Sequence, residues 1–224
     1  MTMTTGFFIT LEGGEGSGKS TQSVMLAKHL EEHGHEVVLT REPGGAPGAE
    51  VIRQLLVTGT TDRWSPLAES LLFSAARDEH LRTTIRPALA QGAVVISDRF
   101  ADSTRAYQGA AGGADPDLID TLEKAVVGDT QPDLTFILDL PPQIGIARAV
   151  SRQNSDASVS GAEDRFERKT EAFHHALRAA FQAIAKDDPE RCEVVNADQP
   201  EDAIAAEIWF ATAKRLTATM LTHG

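Results

Sequence analysis

The segment Gly13–Ser20 reads Gly-Gly-Glu-Gly-Ser-Gly-Lys-Ser and fulfils the pattern G-x-x-x-x-G-K-[ST]. It follows a short apolar run, Phe7–Leu11, and precedes a stretch with helical periodicity, Ser20–His33. In this strand, loop and helix context, backbone N–H groups and the helix N-terminus hold phosphate oxygens. The sequence therefore predicts a P-loop for a nucleoside triphosphate, with Lys19 on the outer phosphates and the Ser20 hydroxyl on Mg²⁺.

A P-loop predicts a triphosphate site but does not identify a reaction. We expect its nine consecutive residues to bind ATP: Gly13, Gly14, Glu15, Gly16, Ser17, Gly18, Lys19, Ser20 and Thr21. The metal needs a further oxygen ligand, and Asp98 directly follows an apolar run at the sheet edge where open α/β folds bind ligands. A helix cap is the alternative role for Asp98, and Asp139 is a lower-ranked rival as metal ligand.

Further short apolar runs alternate with amphipathic helical stretches along the chain. They lie at Val37–Leu39, Ala93–Ile96, Leu134–Leu140 and Glu193–Val195. This alternation predicts an α/β fold with a parallel sheet flanked by helices. Because 224 residues with 41% hydrophobic content suffice for one core, we expect a single domain over residues 1–224.

The balance of charge excludes some classes of partner. The chain has 21 basic and 33 acidic side chains, a formal net charge of −12, which argues against binding to nucleic-acid polymers or anionic membranes. A single cysteine, Cys192, forms no intramolecular disulfide. With neither a signal-peptide pattern nor a long apolar run, a cytoplasmic protein is expected.

Several motifs together resemble the bacterial thymidylate kinases, P-loop nucleoside monophosphate kinases, over nearly the whole chain. The matching stretches are Leu11–Gly16, Thr40–Gly45, Leu72–Arg77 with His80, Asp98–Phe100 and Ser103–Gly109. The resemblance implies a three-layer P-loop NTPase fold with a five-stranded sheet, a short lid at about residues 148–165, and a homodimer. It also implies transfer of the γ-phosphoryl group of Mg·ATP to thymidine 5′-monophosphate (dTMP), giving dTDP and ADP for dTTP synthesis.

The resemblance also assigns residues to the acceptor. It implies that Phe73 stacks under the thymine ring, that Arg77 hydrogen-bonds the base, and that Arg99 grips the 5′-phosphate. The remaining implied substrate contacts are Glu15 near the 3′-hydroxyl, Arg53 as a second cation, Thr104 at the base, Tyr107 at the sugar and Gln108. Read without the family, Phe73 is equally a core residue and Arg53 equally part of a solvated helix face.

The lid should provide a cation for the transition state, because the P-loop has no arginine among Gly14–Ser17. The candidates are Arg148, Arg152 and Arg165, while the polar stretch Gln153–Gly161 is interpreted as a mobile surface loop. The charge pattern around Arg165 also fits an ordinary helix start. The resulting set of catalytic residues is Lys19, Arg99, Arg148, Arg152 and Glu15.

The expected chemistry is alignment and charge neutralisation. A monophosphate acceptor has a second pKa near about 6 and is mostly dianionic at neutral pH, so no general base is required. The seven histidines, among them His80, are expected to be structural or solvated. The alternatives are another P-loop nucleoside monophosphate kinase and a nucleotide switch, although the Asn-Lys-x-Asp motif of a GTPase switch is absent from the sequence.

Overall fold

A computed structural model describes residues 6–155 and 165–222 and contains one parallel sheet. Its strands are β1 (Phe7–Glu12), β2 (Val37–Arg41), β3 (Val94–Asp98), β4 (Leu134–Asp139) and β5 (Cys192–Asn196). They lie in the order β2-β3-β1-β4-β5, and all four pairings are parallel. The predicted five-stranded parallel sheet is therefore confirmed.

Helices connect the strands and cover both faces of the sheet. They are α1 (Lys19–Glu32), α2 (Pro47–Val57), α3 (Pro66–His80), α4 (Arg86–Ala90), α5 (Ala101–Thr104), α6 (Pro116–Val126), α7 (Pro142–Ser155), α8 (Glu171–Asp187) and α9 (Glu201–Thr222). Two π-helical segments, Leu81–Ile85 and Arg105–Ala110, continue from α3 and α5. Within the described ranges, no helix is long and apolar enough to cross a lipid bilayer.

Local chemistry explains where several helices begin. Ser65 accepts a hydrogen bond from Ala68 N at the start of α3, and Asp115 caps α6 in the same way through Asp117 N. In both helices proline occupies the first turn, where its missing N–H has no cost. Ala46 begins α2 without a side-chain cap, because its methyl group has no hydrogen-bond acceptor.

The core consists of two layers, one on each face of the central strand β1. On one face Ile9 and Leu11 pack with Leu26 and Leu30 of α1, and α9 adds its apolar side chains. On the other face Phe8 packs against the segment that follows α3. Since every residue of β1 is buried, the P-loop that follows is held on a rigid support.

One predicted boundary was wrong. Helix α7 continues through Ser155, so residues 153–155 belong to a helix and not to the predicted surface loop. Residues 156–161 of that loop, and residues 156–164 of the predicted lid, lie outside the described residues. Helix α3 also continues through π-helical turns into α4, because Pro87 lacks an N–H and the wider turns accommodate the interruption.

Candidate active site

A cavity of about 320 Å³ opens at the carboxyl edge of the sheet, beside the ends of β1 and β3. Parallel strands bring their carboxyl ends to one edge, so the P-loop after β1 and the turn after β3 become neighbours. The lining comes from five parts of the chain: the P-loop, the turn after β2, helices α2 and α3, the segment from Asp98 to Gln108, and residues 166–167. One end is rich in phosphate-binding groups, and the other contains aromatic rings.

The P-loop is folded by left-handed glycines and by a close approach of α7. Gly16 has φ +65°, and a Cβ at this position would collide with the backbone carbonyl of Gly145 on α7. The buried Lys19 Nζ donates to the carbonyl oxygens of Gly14 (2.7 Å) and Gly13 (3.2 Å). This contact holds an ammonium group inside the loop that the sequence predicts to bind phosphates.

Burial, reinforced by the positive charge of Arg99, lowers the pKa of Lys19 to about 8, although nearby carboxylates act in the opposite direction. An approaching polyphosphate would add negative charge and favour the protonated form. The residue types and their arrangement therefore fit a nucleoside triphosphate.

Ser20 and Asp98 meet beside the P-loop, where the Ser20 hydroxyl donates to Asp98 Oδ2 over 2.5 Å. Both residues line the cavity. A hydroxyl and a carboxylate are oxygen ligands of the kind that Mg²⁺ prefers. The rival Asp139 is committed elsewhere, because Arg178 donates to both of its carboxylate oxygens at 2.7 and 2.8 Å. This arrangement favours Asp98 as the metal ligand.

Glu15, Arg99 and Tyr107 form a connected group at the centre of the cavity. Arg99 Nη2 donates to Glu15 Oε1 (3.0 Å), and the Tyr107 hydroxyl donates to the same oxygen (2.6 Å). The Arg99 guanidinium lies 4.8 Å from the centre of the Tyr107 ring. Arg99 has φ +73°, a left-handed conformation that is strained for a residue with a side chain and is found preferentially at functional sites.

The surroundings of Glu15 keep its carboxylate ionised. Burial alone raises its pKa, but Arg99, Lys19 and the hydrogen bond from Tyr107 together lower the value to about 2. The centre of the site therefore contains a fixed negative charge between two cations. A carboxylate in this position can accept a hydrogen bond from a substrate hydroxyl.

Glu12, which the sequence interpretation did not assign to the site, holds the turn that carries Arg99. Its carboxylate accepts from Phe100 N (2.7 Å), Ser103 N (3.3 Å) and the Ser103 hydroxyl (2.6 Å). Burial, reinforced by the negative charge of Asp102, raises the pKa of Glu12 to about 7. Its position at the end of a fully buried and largely apolar strand was a signal that could have identified it.

Aromatic rings form the far end of the cavity. Phe73 on α3 is partly exposed in the cavity wall and lies 6.2 Å, centre to centre, from Phe166. Phe166 in turn makes an edge contact of 5.5 Å with Tyr107. The structure therefore places Phe73 on the cavity wall instead of in a core cluster, as its predicted role under a base requires.

Arg77 is buried below these rings, and two of its three guanidinium nitrogens are held. Nε donates to Glu42 Oε2 (2.8 Å), and Nη2 donates to Phe100 O and to Thr104 Oγ1, both at 3.0 Å. Thr104, a predicted base contact, does not line the cavity and acts on Arg77 instead. The third nitrogen, Nη1, is hydrogen-bonded to no group among residues 6–155 and 165–222.

Two further predicted substrate residues also line the cavity. Gln108 Nε2 donates to Glu69 Oε2 over 3.1 Å, and Arg53 Nη1 donates to Pro43 O over 2.7 Å. Both side chains therefore have structural contacts besides any contact with a substrate.

The structure contradicts one of the candidates for the lid cation. Arg165 is fully buried, donates to the backbone carbonyls of Leu56, Thr60 and Thr61, and forms an ion pair with Glu69. An arginine with this many buried acceptors anchors the chain and does not reach a transferring phosphoryl group. The alternative of an ordinary helix-start charge is wrong as well, because α8 begins only at Glu171.

The other two lid candidates are Arg148, whose side chain the structure describes, and Arg152. Arg148 is 42% exposed, donates to Ala197 O (3.0 Å) and lies 3.6 Å from Asp198. It does not line the cavity. The side chain of Arg152 lies outside the described part of the chain. The assignment of the transition-state cation to Arg148 or Arg152 remains a prediction.

Comparison with known proteins places the chain among related enzymes. The family model described as thymidylate kinase matches residues 11–208. The thymidylate kinase of Caulobacter vibrioides is 56% identical over 214 residues, covering 96% of this chain and 99% of that protein. That of Nitrobacter winogradskyi is 51% identical over 218 residues, covering 97% and 93%. The crystal structure of thymidylate kinase from Ehrlichia chaffeensis matches with a TM-score of 0.72 at 38% identity, covering 92% of this chain and 98% of that one.

Proposed function

The chain belongs to the thymidylate kinase family, and we propose that it transfers the γ-phosphoryl group of Mg·ATP to dTMP, giving dTDP and ADP. The main support for the proposal is that one cavity combines a donor half-site for ATP with an acceptor half-site for the monophosphate. Lys19 and the Ser20–Asp98 pair stand at one end, while Arg77 and Phe73 stand at the other. Arg99 lies between them and contacts Gly13 O in the P-loop as well as Glu15.

On the donor side, the P-loop backbone and Lys19 would hold the polyphosphate, and Ser20 with Asp98 would hold the metal. A bound Mg²⁺ neutralises charge on the transferring phosphoryl group and orients it. Either Arg148 or Arg152 would supply the additional cation that the P-loop lacks. The position of Arg148 supports this role, because its guanidinium is partly exposed and lies at the carboxyl edge of the sheet, against Ala197 O.

On the acceptor side, Arg99 would orient the 5′-phosphate so that one of its oxygens attacks the γ-phosphorus while the bond to the β-phosphate oxygen breaks. The acceptor phosphate is already mostly dianionic, so no residue has to remove a proton. The ionised Glu15 would accept a hydrogen bond from the sugar 3′-hydroxyl. Catalysis then depends on alignment and electrostatics.

Base recognition follows from the chemistry of Arg77. Arginine only donates hydrogen bonds, so Nη1 would pair with the carbonyl at pyrimidine position 4. Phe73 would stack on the ring, and the Tyr107 ring would exclude a 2′-hydroxyl.

We also propose a homodimer and a cytoplasmic location. Helices α2 and α3 pack against each other through small apolar residues, and their outer faces leave Val51, Leu55, Leu67 and Leu71 between 39% and 67% exposed. Exposed apolar side chains on two packed helices are typical of a subunit interface. The single cysteine is compatible with a reducing compartment.

The acceptor profile tests the function. We expect thymidylate to be the best acceptor and deoxyuridylate to be roughly 10–200-fold weaker in kcat/KM, because a missing methyl group removes only apolar contacts. Deoxycytidylate, uridylate and the purine monophosphates should be poor. Steady-state kcat/KM values at saturating Mg·ATP, measured by coupled ADP release, decide the order.

Two outcomes would contradict the proposal in different ways. Equal or better use of deoxycytidylate than thymidylate would identify a different monophosphate kinase. Slow ATP hydrolysis that no monophosphate accelerates would indicate a nucleotide switch.

A further inference from the structure

Three side chains, Thr40, Glu42 and His80, form a hydrogen-bonded relay that is connected to Arg77. Glu42 lies between Arg77 and His80, and its Oε1 is 3.1 Å from His80 Nδ1. His80 Nε2 is 2.7 Å from Thr40 Oγ1. His80 is fully buried, and the Glu42 side chain is 4% exposed. These residues come from two separate elements, the end of β2 with its turn and the last turn of α3.

The chemistry of the carboxylate fixes the direction of these hydrogen bonds. A carboxylate only accepts, so His80 Nδ1 donates to Glu42 in either charge state of the ring. In the neutral ring, Nε2 then accepts from the Thr40 hydroxyl. The arrangement leaves no room for a larger residue at Gly45, because a Cβ there would collide with both Thr40 Oγ1 and His80 Nε2.

Glu42 lines the same cavity as Arg77, which gives the relay a consequence for the base. Arg77 Nε donates to Oε2 and His80 Nδ1 donates to Oε1, so both oxygens of Glu42 are occupied by protein donors. A carboxylate with a free oxygen would accept a hydrogen bond from the 4-amino group of cytosine. The two bonds fix the plane of the carboxylate against Arg77 and His80, so that this wall of the cavity presents the Nη1 donor of Arg77 to the base.

We propose that His80 is a positioning residue for acceptor specificity. By occupying Glu42 Oε1 it keeps the carboxylate turned away from the base, so that Arg77 selects a 4-carbonyl and rejects a 4-amino group. The inference rests on the proposed function, since it concerns how the same cavity discriminates thymidylate from deoxycytidylate.

Two substitutions at His80 separate this role from simple packing. In His80→Asn the amide nitrogen occupies the place of Nδ1, so donation to Glu42 is kept and the contact with Thr40 is lost. In His80→Gln the terminal amide reaches the place of Nε2, so the contact with Thr40 is kept and Glu42 Oε1 is released. The two variants have similar polarity and test one hydrogen bond each.

The measured quantity is the ratio of kcat/KM for deoxycytidylate to that for thymidylate. We expect His80→Gln to raise this ratio by about tenfold or more. The released Glu42 Oε1 can then accept a hydrogen bond from the 4-amino group of cytosine, which stays unpaired in the wild-type cavity. His80→Asn should stay within about threefold of wild type, well below the large ratios that unmatched polar groups produce. The exposed Arg82→Gln serves as a control that changes neither ratio nor activity.

A spectroscopic readout makes the test independent of turnover. The Nε–H signal of Arg77 in ¹⁵N-resolved NMR reports its hydrogen bond to Glu42, and it should shift in His80→Gln and stay near its wild-type position in His80→Asn. Wild-type turnover of thymidylate decides the proposed function separately. If the Gln variant does not fold, His80→Leu, which also removes the donor to Glu42 Oε1, should raise the same ratio, whereas Thr40→Val, which keeps that donor, should leave it near the wild-type value.

Two results would overturn the inference. One is an unchanged ratio in a folded His80→Gln or His80→Leu protein, which would make His80 a packing residue only. The other is an equal rise in the Asn and Gln variants, which would show that Glu42 Oε1 is not the group that matters.

Discussion

Glu12 and Glu15 are carboxylates three residues apart whose surroundings move their pKa values in opposite directions. Burial and the charge of Asp102 raise the pKa of Glu12 to about 7, whereas Arg99, Lys19 and Tyr107 overcome burial and lower that of Glu15 to about 2. The sequence alone does not distinguish them, because both stand beside the same glycine-rich turn. Their different roles follow from which side chains the fold brings to each.

The raised pKa of Glu12 predicts a pH-dependent contribution to stability. The folded state holds this proton more tightly than the unfolded state, so the contribution is complete below the ordinary pKa of 4.5 and is lost as pH rises through about 7. Glu12→Gln imitates the protonated form and keeps the contacts with Phe100 and Ser103. The free energy of unfolding of this variant minus that of wild type should increase by roughly 2 to 3 kcal/mol between about pH 5 and about pH 8, since each pKa unit corresponds to 1.36 kcal/mol.

Urea denaturation at several pH values measures this difference. A constant difference between the two proteins across the range would show that Glu12 titrates normally in the folded state.

Lys19→Ala should reduce turnover by at least about 10²-fold, the loss typical when a group that stabilises transition-state charge is removed. Because the ammonium group donates to carbonyl oxygens inside its own loop, circular dichroism should stay close to wild type. Lys28→Ala, which removes only an exposed ion pair with Glu32, is the matched control. Near-wild-type turnover of a folded Lys19→Ala protein would contradict the assignment of Lys19 to the outer phosphates of ATP.

The sequence alone identified residues whose role follows from a local motif. Lys19, Ser20 and Asp98 stand within or directly after a recognisable strand or loop, and the structure brings all three to one cavity. The relay of Glu42 and His80 could not be found in this way. These two residues are 38 positions apart, and only the packing of α3 against the turn after β2 makes them neighbours.

Elements were predicted well where their signal is local. The central strands β1, β3 and β4 are largely apolar runs, since strands buried on both faces show little polar alternation, whereas the edge strands β2 and β5 are partly exposed. The helix starts at Ser65–Pro66 and Asp115–Pro116 follow from capping chemistry. The joining of α3 to α4 through π-helical turns was missed, because such turns have no established sequence signal beyond a nearby proline.

The segment Arg165–Lys169 behaves as an anchor between α8 and the loop that connects α2 to α3. Arg165 pairs with the buried Glu69, and Lys169 donates to Thr61 O. Arg165→Met should destabilise the protein by about 3 to 5 kcal/mol, because Glu69 then stays buried without its cation. The exposed Arg168→Met should cost less than about 1 kcal/mol.

Urea denaturation of the two single variants and of Arg165→Met with Glu69→Gln tests this anchor. The double variant should recover part of the loss, since the uncompensated charge is gone. Equal stability of the Arg165 and Arg168 variants would contradict the anchor.

At the scale of the whole molecule, the exposed apolar face of α2 and α3 predicts self-association. Val51→Glu combined with Leu71→Glu should convert a dimer into a monomer, because like charges would face each other across a two-fold axis. Phe210→Ser removes an equally exposed apolar side chain from α9 and should leave the dimer intact. Sedimentation velocity distinguishes the two, and a monomeric wild-type protein would refute the proposed dimer.

The position of Arg99 has a consequence for how the two substrates affect each other. Its Nη1 donates to Gly13 O in the P-loop over 3.0 Å, while its Nη2 holds Glu15. One guanidinium is therefore shared by the donor and acceptor half-sites. A phosphate that binds to Arg99 from one half-site changes the hydrogen bonds that Arg99 makes in the other. Thermodynamic linkage makes such coupling reciprocal: whatever factor dTMP changes in the equilibrium affinity for ATP, ATP must change in the affinity for dTMP.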